Sequence, residues 1–292
     1  MDLGIRGRTA VVAASTGGLG RAVAEALAAE GAAVVVTGRR GDLAEEIAAG
    51  LPEAVGVQAD LLMGGKNALV VLDDADVEQA AQIAAAGGFA LTGQACTASS
   101  RVICTPGVYE AFVAALTKQA ERYRPGNGLD GGTLMGPVVS EQQLAGVTAA
   151  IGRARHEGVT VAAGGDAPQG LMLAPTVLTG VGRDSAVARD EIFGPVVAVL
   201  VAEDLDDAIE LVNDSRYGLA AGVCTRSLAH AQRFAARVRA GVIKVNRPTT
   251  GLDLNVPFGG VKDSSSNTFR EQGTVATEFY SWSKSVYMGW DD

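Results

Sequence analysis

The 292-residue chain is 48% hydrophobic and 20% charged, with a formal net charge of -9. That much apolar material builds a sizeable core and excludes a disordered chain, and the length allows one large domain or two modest ones. The acidic balance, without clustered Lys and Arg, argues against a nucleic-acid or anionic-membrane surface and points to small-molecule partners.

The N-terminus, MDLGIRGRTAVVAAS, lacks the charged, apolar and small-residue regions of a signal peptide, and no window holds the roughly eighteen apolar residues of a membrane span. A cytoplasmic protein is expected. Residues 8 to 60 alternate between strand and amphipathic helix: TAVVAAS, GLGRAVAEALAAEG, AAVVVTG, DLAEEIAAGL and AVGVQAD. This is a βαβαβ pattern. From residue 66 the rhythm continues, with strands expected at ALVVL, RVICT, VTVAAG, VVAVLVAE, GLAAGVCT and GVIKVN. Helices are expected at residues 76–94, 107–123, 140–158, 204–215 and 227–241, so the fold class is again α/β. With no internal repeat or low-complexity linker, the expected boundary near residue 62 rests on a change of motif.

The run AASTGGLGRA, residues 13–22, lies where the first strand turns into a helix. Glycines there let backbone approach a pyrophosphate, and the helix N-terminus offers free N–H groups. The second strand ends in TGRR, which puts Arg39 where a ribose-selecting side chain is expected; a guanidinium there favours a 2′-phosphate, hence NADP over NAD. A tight packing turn followed by solvated arginines is the plainer alternative. The segment resembles the opening of short-chain dehydrogenases/reductases, with Gly18 and Gly20 on the last two glycine positions and Ala13-Ala14 replacing the leading Thr-Gly. The resemblance implies that Asp60, ending the third strand, touches adenine. Tyr280 to Lys284 formally match that family's Tyr-x-x-x-Lys pair, but lie near the C-terminus in a segment with a different likeness.

Three cysteines, Cys96, Cys104 and Cys224, are too few and too irregular for a disulfide framework or a zinc site, and no metal is expected. His156 and His230 both sit in helical patterns and read as solvated helix residues, which leaves a Ser-His-Asp mechanism without support. The motifs MGGKNALVVLDDAD, GQACTASSRVIC, EIFGPVVAV, NDSRYGLAAGV, KVNRPTTGLDLNVPFGGVKDS and FYSWSKSVYMG follow one another from residue 63 to residue 289. In that order and spacing they resemble the C-terminal, catalytic half of an aldehyde dehydrogenase. The wording of RPTTGLDLNVPFGG looks most like members that oxidise α-ketoglutarate semialdehyde.

The resemblance implies that Cys96 is the thiolate nucleophile, attacking an aldehyde to give a thiohemiacetal and then a thioester. It places Glu191 on the nicotinamide ribose, Phe193 on the nicotinamide ring, and the closing segment, about residues 275–292, in an arm that joins a partner subunit, so a homo-oligomer is expected. Arg247 lies in a segment like the family's substrate-entry loop, where it could meet a distal carboxylate or serve as a surface cation. The family's general base for thioester hydrolysis would stand two residues before Gly64, and this chain has Leu62 there. Leucine cannot activate water, so weak turnover is expected. A βαβαβ unit with right-handed crossovers also leaves one sheet face bare, open to the catalytic half or a second subunit. The whole reads as residues 1–62, a Rossmann-like dinucleotide-binding unit, followed by residues 63–292, an aldehyde dehydrogenase-like catalytic domain with its arm. Acyl transfer to coenzyme A and a catalytically silent nucleotide-binding or assembly protein are the other readings.

Overall fold

The structure, a computed structural model, describes residues 4–12, 15–38, 40–58, 64–265, 270, 272–279, 281 and 283–289. The chain divides into two compact units, Met1–Leu62 and Met63–Asp292. In the first, strands β1 (Thr9–Val12), β2 (Ala33–Gly38) and β3 (Ala54–Gln58) alternate with helices α1 (Gly18–Ala29) and α2 (Gly41–Ala49). The strands pair in parallel in the order β1-β2-β3. Val12, Val34 and Val36 point to one side and bury against Ala24 and Ala28 of α1 and Ala44 and Ile47 of α2. Strand side chains alternate, so the intervening residues emerge on the other face, where Val11 is 69% and Val55 54% exposed. Ser15 braces the chain leaving β1: its hydroxyl donates to the Val12 carbonyl and accepts the Thr37 N–H.

The second unit is built on a seven-stranded sheet. Its elements are β4 (Asn67–Val71), α3 (Val77–Phe89), β5 (Ser99–Cys104), α4 (Tyr109–Ala120), α5 (Glu141–His156), β6 (Thr160–Ala163), β7 (Thr176–Thr179), α6 (Ala186–Arg189), β8 (Val196–Val201), α7 (Leu205–Asn213), β9 (Ala220–Cys224), α8 (Leu228–Arg237), β10 (Val242–Val245) and α9 (Ala276–Phe279). The strand order is β10-β9-β4-β5-β8-β7-β6, parallel except for β6 against β7. The central strands are apolar through most of their length because both faces are covered, with Asn67 opening β4 and Ser99, Ser100 and Arg101 opening β5. Leu69, Val71, Val102 and Val199 pack with Ala84 and Phe89 of α3 and Phe112 and Leu116 of α4. Val70, Ile103, Ala198 and Val223 face the other way, onto Val147 and Ile151 of α5, Ile209 of α7 and Phe234 of α8. Each fully buried side chain of this size stabilises the fold by roughly 1.5–3 kcal/mol.

Four of the longer helices start on side-chain caps: Asp76 on the Gln79 N–H, Ser140 on the Gln143 N–H, Asp204 on the Asp206 and Asp207 N–H groups, and Ser227 on the His230 N–H. The structure differs from the sequence expectation in two places that matter. The helix expected through Gln94 ends at Phe89, because Leu91, Thr92 and Gly93 all take positive φ (53°, 59° and 63°). And β7, hidden in the run LAPTVLT, was not among the expected strands. Toward the C-terminus, residues 283–289 carry no regular element, and Tyr287 and Met288 are exposed. Among the described residues no helix is long and apolar enough to cross a membrane.

Candidate active site

Parallel strands β4, β5 and β8 begin side by side at Asn67, Ser99 and Val196. The chemistry-bearing residues gather at these amino-terminal edges. Cys96 precedes β5 by three residues, at the end of the left-handed turn Leu91–Gly93. Asn67, the first residue of β4, clamps the Cys96 loop: its Nδ2 donates to the carbonyls of Cys96 (2.9 Å) and Ala98 (2.8 Å), while its Oδ1 accepts the Ala220 N–H from β9 (3.0 Å). From the other side, the chain after β10 returns to place Thr249, whose hydroxyl donates to the Thr97 carbonyl (2.6 Å) and pairs with the Ser99 hydroxyl (2.7 Å). Both clamps are buried, so the loop bearing the thiol is fixed by hydrogen bonds that water does not contest.

Glu191 arrives from the connection between α6 and β8. Its Oε1 accepts the Gly65 N–H (3.0 Å), and a side chain on Gly64 would collide with the carboxylate. A narrow cleft is lined by Gly65, Ala95, Ala98, Glu191 and Phe193. Phe193 has φ 55°, an uncommon conformation for an aromatic residue, and the residue is 37% exposed. Gln143 of α5 steadies that bend by donating to the Ile192 and Phe193 carbonyls, each at 2.9 Å. A carboxylate beside a presented aromatic face suits the hydroxyls and ring of a nicotinamide riboside, so the residues present fit that end of the cofactor.

Burial is the main influence on each ionisable group here. It pushes the Cys96 thiol up, a change that the Glu191 carboxylate adds to and that the Cys96 and Thr97 backbone N–H groups oppose. Burial likewise raises Glu191, against the pull of the Gly65 N–H and of Lys66 and Arg216. Lys66 is buried at 3% exposure and brought down to about 7, mainly by desolvation and then by the nearby Arg101. Cys104 and Cys224 are buried in strands and also raised by burial. Alkylation of the folded protein by iodoacetamide is therefore expected to stop at one thiol, Cys96, with a rate whose midpoint lies above the pH of free cysteine. Peptide mapping of the labelled protein checks both points; labelling of Cys104 or Cys224 at a comparable rate contradicts the assignment.

The sequence matches the aldehyde dehydrogenase family over residues 10–286. The chain belongs to the aldehyde dehydrogenase family. It is 47% identical over 237 residues to the α-ketoglutarate semialdehyde dehydrogenase of Haloferax volcanii, and 45% identical over 232 residues to the 2,5-dioxopentanoate dehydrogenase of Saccharolobus solfataricus. Each match takes in 79% of this chain and 48% of the relative, so the chain spans about half the length of these curated relatives. Among solved structures, the NAD+ complex of Staphylococcus aureus betaine aldehyde dehydrogenase matches 90% of this chain and 53% of its own, with a TM-score of 0.74 and 34% identity. The Pseudomonas syringae indole-3-acetaldehyde dehydrogenase bound to NAD+ gives 0.74 and 33%, over 90% and 53%. Aldehyde dehydrogenases of this kind are NAD(P)-dependent oxidoreductases. Because the family match begins at residue 10, inside β1, it runs through the N-terminal unit and does not support reading that unit as a piece of a short-chain dehydrogenase/reductase.

Of the residues singled out from the sequence, Cys96, Glu191 and Phe193 lie around the same β-strand edges of the aldehyde dehydrogenase-like sheet. Arg247 is exposed in the loop after β10, two residues before the clamp Thr249. Gly18 and Gly20 open α1, where Gly17 is the N-cap without a side-chain hydrogen bond and Gly18 has φ 53°. That leaves backbone N–H groups at the helix start, which fits an anionic phosphate. Arg39, Asp60, Leu62 and Tyr280 lie outside the described residues. Sequence reasoning passed over Asn67, Lys66, Gln143 and Thr249. Asn67 and Lys66 follow directly on the Gly64-Gly65 pair, and a polar pair opening an otherwise apolar strand was the signal available.

Proposed function

We propose that this chain oxidises an acidic semialdehyde, of the α-ketoglutarate semialdehyde kind, through a Cys96 thioester, and that its slow step is hydrolysis of that thioester. The observation that carries the reading is the shared edge that brings the Cys96 loop, clamped by Asn67 and Thr249, near enough to Glu191 for the carboxylate charge to act on the thiol. The names and identities of the relatives support the substrate class. Cys96 Sγ as thiolate attacks the aldehyde carbon, and backbone N–H groups beside it are available to hold the resulting oxyanion. A bound nicotinamide supplies the hydride acceptor. Glu191 then orients the ribose hydroxyls and Phe193 the ring, while Arg247 draws the far carboxylate of the substrate toward the mouth of the site.

Leu62 in place of a glutamate is the reason for a slow second half-reaction. The N-terminal unit, residues 1–62, serves in this reading as a phosphate-binding module, with Gly18, Gly20, Arg39 and Asp60 as its contacts. Residues 63–292 form the catalytic domain, and about residues 275–292 are an arm through which a homo-oligomer forms. A single-turnover experiment with α-ketoglutarate semialdehyde, run separately with NAD and NADP, tests the proposal. The expected record is a rapid rise of about one equivalent of reduced cofactor per Cys96, followed by a much slower phase. No rise with either cofactor overturns the oxidation; a linear record without a break overturns slow hydrolysis.

A further inference from the structure

Glu191 has a second task open to it. Its carboxylate lies along the Gly64–Gly65 strip, bonded to the Gly65 N–H and packed where a Gly64 side chain would be. On the same strip, a Cβ added to Gly65 would stand 2.8 Å from the Cys96 carbonyl oxygen. One glycine therefore separates the carboxylate from the backbone of the nucleophile, and the Glu191 charge is felt at the Cys96 thiol. The neighbouring residue, Lys66, is buried, and its Nζ has no hydrogen-bond partner. Its charge acts on Glu191, and the charges of Asp190 and Glu191 act on it. A half-buried carboxylate beside a buried amine that changes charge near neutral pH is suited to taking up and returning a proton.

We propose that Glu191 is the general base that hydrolyses the Cys96 thioester in this chain, standing in for the glutamate absent at Leu62, with Lys66 acting through it as a positioning residue. The inference rests on the proposed Cys96 thioester. In the step, the oxygen of a water beside Glu191 attacks the acyl carbon, and one of its protons passes to the Glu191 carboxylate. Collapse of the tetrahedral adduct breaks the carbon–sulfur bond and releases the carboxylic acid and the Cys96 thiolate, to which Glu191 returns its proton. No oxidant is needed, because oxidation is complete when the thioester has formed. Glu191 is free to take this part once it no longer holds ribose hydroxyls.

The test uses the full chain with 4-nitrophenyl acetate, which acylates a thiolate without any cofactor. One equivalent of nitrophenolate is expected to appear rapidly, followed by a steady phase that reports hydrolysis. In Glu191→Gln the steady phase should fall on the order of 10²- to 10⁴-fold and lose its rise with pH, while the first equivalent is still released. In Lys66→Met, which removes a neighbouring positive charge and leaves the carboxylate, the rise should move to higher pH, a displacement that a purely structural role would not produce. An unchanged steady phase in Glu191→Gln, or an unmoved pH profile in Lys66→Met, overturns the proposal. If Glu191→Gln does not fold, Glu191→Asp and Lys66→Met carry the test, and both must alter the steady phase. Absence of the first equivalent from the parent protein overturns the thioester reading together with this one; a normal first equivalent with an unaltered steady phase in the variants overturns this one alone.

Discussion

Lys66→Met is expected to be more stable than the parent chain at pH 6, with the difference shrinking as the pH rises toward 10. Lys66 sits wholly inside the second unit, and its Nζ makes no hydrogen bond. Its backbone carbonyl is taken by the Arg101 side chain (3.2 Å), and that guanidinium is itself buried and brought down to about 10 by desolvation. The Arg101 charge in the same dry region adds to the lowering of Lys66, and Asp190 and Glu191 compensate only partly. A lowering from 10.5 to about 7 corresponds to about 5 kcal/mol by linkage. The sign follows from proton counts. Between about 7 and 10.5 the unfolded chain holds the Lys66 proton and the folded chain does not, so parent stability rises with pH across that window and the penalty is full below it. Methionine fills nearly the same volume without a charge, which removes both the penalty and its pH dependence. Urea unfolding at pH 6, 7.5 and 9, followed by circular dichroism, measures the gap. A variant less stable than the parent at pH 6, or a gap that stays constant with pH, contradicts the buried-amine account. So costly a lysine next to the candidate base fits the proton-handling part given to it above.

The parts of this architecture that are written locally are the parts the sequence displays. Runs such as ALVVL, RVICT and VVAVLVAE are apolar at consecutive positions because both sheet faces are covered, and they appear as β4, β5 and β8. Cys96 and Glu191 stand out through the wording of their motifs. The clamps do not, because each joins residues far apart in the chain: Asn67 to Cys96 and Ala220, Thr249 to Thr97, Gln143 to Phe193. No pattern of spacing along one sequence signals such a pair. The helix expected through Gln94 failed for a related reason. Apolar periodicity continues through FALTG, yet Gly87 and Gly88 bring the end of α3 against Ser99 and Val197, and the chain must then turn sharply to reach β5. Tertiary contact, not local preference, ended the helix.

That turn is where a single methyl group is expected to matter most. Gly93 has φ 63°, and a Cβ there would collide with the Gly194 carbonyl and lie 2.9 Å from the Gly88 carbonyl oxygen. Both obstacles are backbone, so neither can rotate away, and Leu91 and Thr92 already occupy the left-handed region just before it. Gly93→Ala should cost about 2–4 kcal/mol in stability, the sum of backbone strain and overpacking. It should also displace Cys96, three residues on, relative to Glu191; a shift near 1 Å lowers the acylation rate by roughly 10²-fold. Gly146 supplies the contrast. It lies exposed within α5 with nothing within 4 Å of an added Cβ, so Gly146→Ala should gain about 0.5–1 kcal/mol and leave acylation untouched. Urea unfolding and the 4-nitrophenyl acetate burst rate, measured on both variants, separate the two cases. If Gly93→Ala behaves like Gly146→Ala, the left-handed turn does not hold the nucleophile in place; if it loses stability but keeps its burst rate, the turn supports the fold and leaves the position of Cys96 to the Asn67 and Thr249 clamps.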